Sequence, residues 1–218
     1  MSHYSDSLGR ERGFSMANPH LKLVAPADNI PTVRTPLRRK NAEYRAREHL
    51  AEHEVERLIE VTSNHRDATM VLLAFRHGLR AAELVDLRWD QVDFQTGVLH
   101  VRRAKAGTPA THPLTGRELR ALRRLQRETG PSTHLFMSER KAPISIDGFQ
   151  KMVERLSVRV KLGFPVHAHM LRHACGFKMA NDGVDTRTIR AYLGHKDIRH
   201  TVRYTELSPV RFKGLWKD

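Results

Sequence analysis

The stretch "HAHMLRHACGFKMANDGVDTRTIRAYLGHKDIRHTVRYTEL", residues 167–207, decides the fold. Its pattern predicts three short helices, near 169–181, 186–193 and 198–204. Gly183 ends the first, and Asp185 caps the second by accepting amides of its first turn. On the first helix His169 and Arg172 are three residues apart and His169 and His173 four apart, so all three share a face. Tyr204 follows the Gly194-His195 pair in a segment crowded with cations.

Upstream, Val55, Leu58 and Ile59 fall at helical spacing, with Glu52 and Glu54 in the first turn, where the helix dipole favours acids. A more buried helix is expected from about Arg66 to His77, stopped by Gly78, and a short third one from Ala81 to Leu87. "VLHVRR" (98–103) and "ATHPLT" (110–115) read as two strands joined by a tight hairpin. A basic amphipathic helix follows over Gly116–Thr129, and another over about Ile146–Leu162. The class is mainly α with a small antiparallel β-sheet.

Residues 1–49 read differently. They are polar without an apolar period, and Arg34 to His49 is a basic run that includes Arg38, Arg39 and Lys40. The expected division is a flexible basic arm over 1–49 and a folded domain over 50–218, with Met16 as an alternative start.

The chain carries 38 basic against 24 acidic residues, a net +14 before its 14 histidines are counted. A polyanion is the partner this charge points to. No long apolar run and no secretory leader are visible, so a membrane partner is not expected. The single cysteine, Cys175, excludes an internal disulfide and suits a reducing cytoplasm, where it would be a small buried residue.

Several residue groups carry chemistry. Arg80 follows the Gly78 stop, and Glu83 lies one turn on, able to hold it; taken alone the two read as a surface ion pair of little worth. Lys105 is the only lysine between Lys40 and Lys141, at the tip of the predicted hairpin. Lysine, unlike arginine, can give up a proton. His169 and His173 have the spacing of a zinc pair, but no carboxylate accompanies them and Arg172 would set a cation beside the metal. Two arginines can grip the non-bridging oxygens of one phosphodiester. His169 and His195 could accept a phenolic proton or bind developing charge. Lys105 suits a leaving oxygen, and Tyr204 could be the nucleophile.

Arg80 within "GLRAAEL", Lys105 on a hairpin, "HMLRH" (169–173), "LGH" (193–195) and Tyr204 together resemble the tyrosine recombinase (phage integrase) family. "HMLRHACGF", "IRHTVRYT" and "RFKGLW" resemble its short fimbrial phase-switch invertases. The resemblance implies a tyrosine recombinase catalytic-domain fold over residues 50–218, without a cofactor or a metal. It implies Arg80 and Arg172 as phosphate clamps, Tyr204 as nucleophile and Lys105 as general acid. His169 would be general base or phosphate ligand and His195 a second hydrogen-bonding histidine, with Glu83 and His173 in support. It further implies a 3′-phosphotyrosyl intermediate, duplex DNA with paired specific sites, a homo-tetramer on that DNA, and inversion as the outcome. Most of the family has a separate N-terminal helical domain; the arm here is too short for one, so Arg34 to His49 and host DNA-bending proteins are expected to share that grip. Val210, Phe212, Leu215 and Trp216 are expected to dock on a neighbouring subunit.

A rival reading is a non-enzymatic DNA-binding regulator. Helices 169–181 and 186–193 resemble a helix-turn-helix that would turn Arg187 and Arg190 toward DNA. It leaves Arg80, Lys105 and Tyr204 unexplained.

Overall fold

The computed structural model describes residues 48–104, 107–206, 208 and 212. Eight α-helices are present among them: α1 Glu52–Glu60, α2 His65–Arg76, α3 Ala81–Val85, α4 Gly116–Thr129, α5 Ile146–Arg159, α6 His169–Asn181, α7 Thr186–Leu193 and α8 Arg199–Glu206. Between α3 and α4 lies a three-stranded antiparallel sheet of β1 Val92–Asp93, β2 Val98–Val101 and β3 Ala110–Pro113, in that order. The expected class therefore holds.

Helix starts follow local chemistry. Asn64 accepts the Asp67 amide, Thr115 the Glu118 amide, Ser145 the Gly148 amide, and Asp185 the amides of Arg187 and Thr188. Each satisfies a donor that the first turn leaves open. Gly194 ends α7 at φ 65°, ψ 40°, the left-handed conformation that glycine adopts without steric cost.

Helix α6 sits at the centre, packed against α1, α2, α7 and α8. Its buried Met170, Leu171, Ala174 and Phe177 join Leu58, Met70, Leu73, Phe136, Phe149 and Leu193 in one core. Cys175 is buried there too, and burial pushes its thiol up to about 12, an inert state for a thiol.

The segment between the helices differs from the sequence expectation in three ways. Helix α3 stops at Val85, a 3-10 turn over Trp89–Gln91 follows, and the chain then enters β1. Strand β1 pairs Val92 with Leu99 and Asp93 with Val98; two residues are too few to print a periodicity. The β2–β3 connection is no tight hairpin: strand pairing ends at Val101–Ala110, and the described residues 102–104 and 107–109 lie outside it. The Asp93 carboxylate takes the amides of Gln95 and Thr96 and the Thr96 hydroxyl, so the tight turn joins β1 and β2 instead.

The basic run Arg34–His49 lies outside the described residues apart from Glu48 and His49, and so do Arg38, Arg39 and Lys40. His49 stacks on Phe177 at 3.8 Å between ring centres, and Glu48 pairs with Arg203. Of the terminal apolar set only Phe212 is described, and it is exposed. Among the described residues no helix is long and apolar enough to cross a membrane.

Candidate active site

The arginine side is built on the turn after α2. Gly78 takes φ 55°, and a Cβ there would lie 2.3 Å from Leu193 Cδ2, so only glycine lets α7 approach this closely. Two residues on, Arg80 caps α3, and Glu83 folds back over it. Glu83 Oε2 accepts the Arg80 amide at 3.0 Å, and Oε1 accepts Arg80 Nη1 at 2.6 Å. From the other side Arg103 Nη1 donates to Oε2 at 2.9 Å, and the Ala104 amide donates to Oε1 at 3.0 Å. Arg172 Nη1 stands 3.8 Å from Oε2.

The surface pair expected from sequence is thus a buried cluster: the side chains of Glu83, Arg103 and Arg172 are 1%, 0% and 1% exposed, against 26% for Arg80. Burial would raise the Glu83 carboxyl, but the Arg80 amide and the charge of Arg103 outweigh it and hold the group below the usual carboxylate value. Three guanidinium groups face one carboxylate, which leaves two positive charges beyond internal pairing.

Arg172 comes from α6, at the centre of the core. Its Nη1 donates to the Gly78 carbonyl and its Nη2 to the Leu193 carbonyl at 2.7 Å, tying α2, α6 and α7 together. Burial, then the charges of Arg80 and Arg103, lowers it to about 10, so it stays a cation at neutral pH.

The tyrosine side is made of rings. Tyr204, on α8, is 2% exposed, and its hydroxyl lies 2.9 Å from His173 Nδ1. The Phe177 ring meets it edge-on at 5.0 Å, and the His195 ring lies nearly parallel at 6.3 Å. His169 stands edge-on to His173 at 4.6 Å, so His169, His173 and Tyr204 form a row. Gly176 makes the space beneath: a Cβ there would sit 2.7 Å from Tyr204 Cε2. Burial raises the Tyr204 phenol, while Arg172 and Arg203 pull the other way. His173 and His195 are each lowered to about 3, first by burial and then by neighbouring positive charge, so both are neutral near pH 7. His195 Nδ1 is 2.8 Å from the Thr201 hydroxyl, which fixes the ring against the start of α8.

Of the residues singled out in the sequence, Arg80, Glu83 and Arg172 meet at one cluster, and His169, His173, His195 and Tyr204 at its neighbour. The charge of Arg172 acts on both Tyr204 and His195. The hydrogen-bond partner of the Tyr204 hydroxyl is His173, the supporting histidine, rather than His169 or His195. Lys105 lies outside the described residues. On α7, Arg187 is exposed, while Arg190 donates to the carbonyls of His195 and Lys196 at 3.1 and 2.8 Å, bracing the "LGH" turn. Sequence reading missed Arg103 and Gly176. Alternation along β2 could have found the first, since Leu99 and Val101 point inward and Arg103 keeps that phase. Among the described residues no three His, Cys, Asp or Glu side chains gather as around a metal ion.

The model of the Phage integrase family matches residues 48–211. Type 1 fimbriae regulatory protein FimE of Escherichia coli K12 is 39% identical over 158 residues, 70% of this chain and 80% of that protein. FimB of the same strain is 37% identical over 187 residues, 82% of this chain and 94% of that one. Among solved structures, XerA recombinase superposes with a TM-score of 0.67 at 27% identity, over 74% of this chain and 61% of that one. XerH site-specific recombinase bound to its difH substrate gives 0.65 at 20% identity, over 78% and 55%, a likeness of fold. The chain therefore spans about three fifths of the solved recombinase chains it matches.

Proposed function

The chain belongs to the phage integrase family, and from that premise we propose that it is a site-specific DNA recombinase that cuts and rejoins duplex DNA through Tyr204. One observation carries the reading. Arg80, Arg172, His195 and Tyr204, drawn from four separate segments, converge where two positive charges exceed internal pairing.

Arg80 and Arg172 hold the non-bridging oxygens of one phosphodiester, since each guanidinium keeps donors that fit an oxyanion. The Tyr204 oxygen attacks phosphorus and its proton passes to His173, the base in hydrogen-bond reach of it. The bond from phosphorus to the 5′-oxygen breaks, and that oxygen leaves as a hydroxyl with a proton from Lys105. His169 and His195 ligate the phosphate as charge develops, and Glu83 holds Arg80 in place. The 3′-phosphotyrosyl bond conserves the energy of the original linkage. A 5′-hydroxyl from a partner strand then reverses the attack, so no cofactor is consumed.

The similarity to two fimbrial regulators supports inversion between paired inverted sites, a promoter switch. The protein acts in the cytoplasm as a homo-tetramer on DNA. The basic segment up to His49 supplies part of the grip, with host DNA-bending proteins completing it, and Arg187 adds a contact from α7. Deleting residues 1–45 lowers DNA affinity and flattens its salt dependence, because each phosphate contact releases counterions; unchanged binding would exclude the arm from the interface.

The deciding experiment is covalent capture. Wild type and Tyr204→Phe are expressed in source cells, lysed in hot detergent, and the DNA that stays attached is sequenced. DNA recovered with wild type and absent with the phenylalanine variant identifies nucleophile and target, and flanking inverted repeats identify inversion. If neither protein traps DNA in cells or on a nicked trapping substrate, the regulator reading replaces this one.

A further inference from the structure

Arg103 matches no motif by which the sequence was read, yet it is the most enclosed cation of the site. Its side chain is 0% exposed, and it lies opposite Arg80 across the same carboxylate. Nη1 donates to Glu83 Oε2 at 2.9 Å, while Nη2 donates to the carbonyls of Tyr192 and, at 3.4 Å, His77. The surroundings close on it tightly. A Cβ at Gly194 would fall 2.8 Å from Arg103 Cγ, and one at Gly107 would fall 2.8 Å from its Cβ. Arg172 and Arg80, rather than Arg103, are among the charges that act on Tyr204, so the effect of Arg103 passes through what it holds.

What it holds is Glu83. The carboxylate accepts four hydrogen bonds, two from Arg80 and two from Arg103 and the amide next to it. With Arg103 present, three cations face one anion. Without it, a single positive charge is left over, and the freed carboxylate oxygen lies 3.8 Å from Arg172 Nη1, ready to draw that guanidinium in.

The difference matters because of how phosphate charge grows. A phosphodiester carries one negative charge, and the pentacoordinate species formed by tyrosine attack carries about one more. A net charge of two matches the second state; a net charge of one matches only the first. Resting on the recombinase reading above, we propose that Arg103 is a positioning residue. It shares Glu83 with Arg80 and keeps that carboxylate from drawing in Arg172, so that two of the three positive charges meet the transition state uncompensated, and it never touches the DNA itself. Binding energy that appears only in the transition state changes the cleavage rate and leaves DNA affinity nearly alone.

The test uses the full chain on a nicked trapping substrate, reading covalent adduct formation at saturating DNA and, separately, DNA affinity. Arg103→Met is expected to slow adduct formation by roughly 100-fold or more while shifting affinity less than about 3-fold, the signature of a lost transition-state contact. Glu83→Gln is slow as well, because it leaves the Arg103 cation unpaired. The double variant removes both members and should be at least ~10-fold faster than either single one, since contacting residues couple. Arg103→Lys, which keeps the charge, should regain at least ~10-fold over methionine.

Multiplied losses in the double variant, or equal losses for lysine and methionine, would overturn the proposal and reduce Arg103 to a support for the Tyr192 and His77 carbonyls. If Arg103→Met does not fold, the double variant against Glu83→Gln decides alone, because it buries no unpaired charge. Failure of the recombinase reading shows separately, as a wild type that forms no adduct. The pairing is then read from the Glu83 carboxyl resonance, which must titrate higher in Arg103→Met; an unmoved titration overturns the pairing as well.

Discussion

The two sides of the site are held by opposite means. On the arginine side Glu83, Arg103 and Arg172 are sealed from water and cross-linked by charged hydrogen bonds and backbone carbonyls. On the tyrosine side Tyr204 is just as buried, but ring packing and a single hydrogen bond to His173 hold it. A buried charge cluster is costly to rearrange, because each move strands a charge in low dielectric. A ring in an apolar slot loses only contact area when it moves. The arginine side is therefore the costlier of the two to rearrange, and the Tyr204 ring the cheaper to displace.

The largest expected effect breaks the arginine side. Arg172→Leu leaves the Gly78 and Leu193 carbonyls without a donor and Glu83 with one cation fewer. A stability loss of about 3–5 kcal/mol by chemical denaturation is expected, the range for stranding a buried partner. A loss under about 1 kcal/mol would mean that this side is as soft as the other.

Gly176→Ala tests the tyrosine side. The new methyl group would meet the Tyr204 ring at 2.7–2.8 Å, so the ring must move. The cost should be about 1–3 kcal/mol, as for other overpacked sites, with Tyr204 more exposed to a tyrosine-selective reagent. An unchanged reactivity would show that the slot tolerates the methyl without displacing the ring.

Acid acts on both sides. Burial and neighbouring positive charge lower His173 and His195 to about 3, and His112, behind the arginine side, to about 3 as well. A base depressed in the folded state stabilises the fold fully above its unfolded value, near pH 6.5, and that stability drains away as pH falls toward the folded value. Stability should therefore be level above about pH 7 and fall through pH 6 to 4, by at most ~1.4 kcal/mol per unit for each histidine. His173→Gln should shallow that slope; an identical slope would remove His173 from the account.

Tyr204→Phe is the smallest. Only the hydroxyl's contact with His173 Nδ1 disappears, so stability should change by about 1 kcal/mol or less. A larger loss would mean that the hydroxyl anchors α8, and that the contrast between the two sides is overdrawn.

The sequence by itself determined the helix boundaries from α4 onward to within a few residues, because caps such as Thr115, Ser145 and Asp185 act on amides only two or three positions away. It also marked Arg80, Glu83, His169, Arg172, His195 and Tyr204, since their spacing is a linear property. Tertiary structure alone decided which of them touch. Glu83 reads as one half of a surface pair until β2 brings Arg103 against it, 20 residues away. The histidine at the Tyr204 hydroxyl is settled only by how α6 crosses α8, 31 residues apart. Gly176 looks like a flaw in a helix until the ring it makes room for is in place. Local hydrogen bonds fix where elements begin and end; burial and the meeting of distant charges arise only when the elements pack, and no spacing along the chain encodes them one residue at a time.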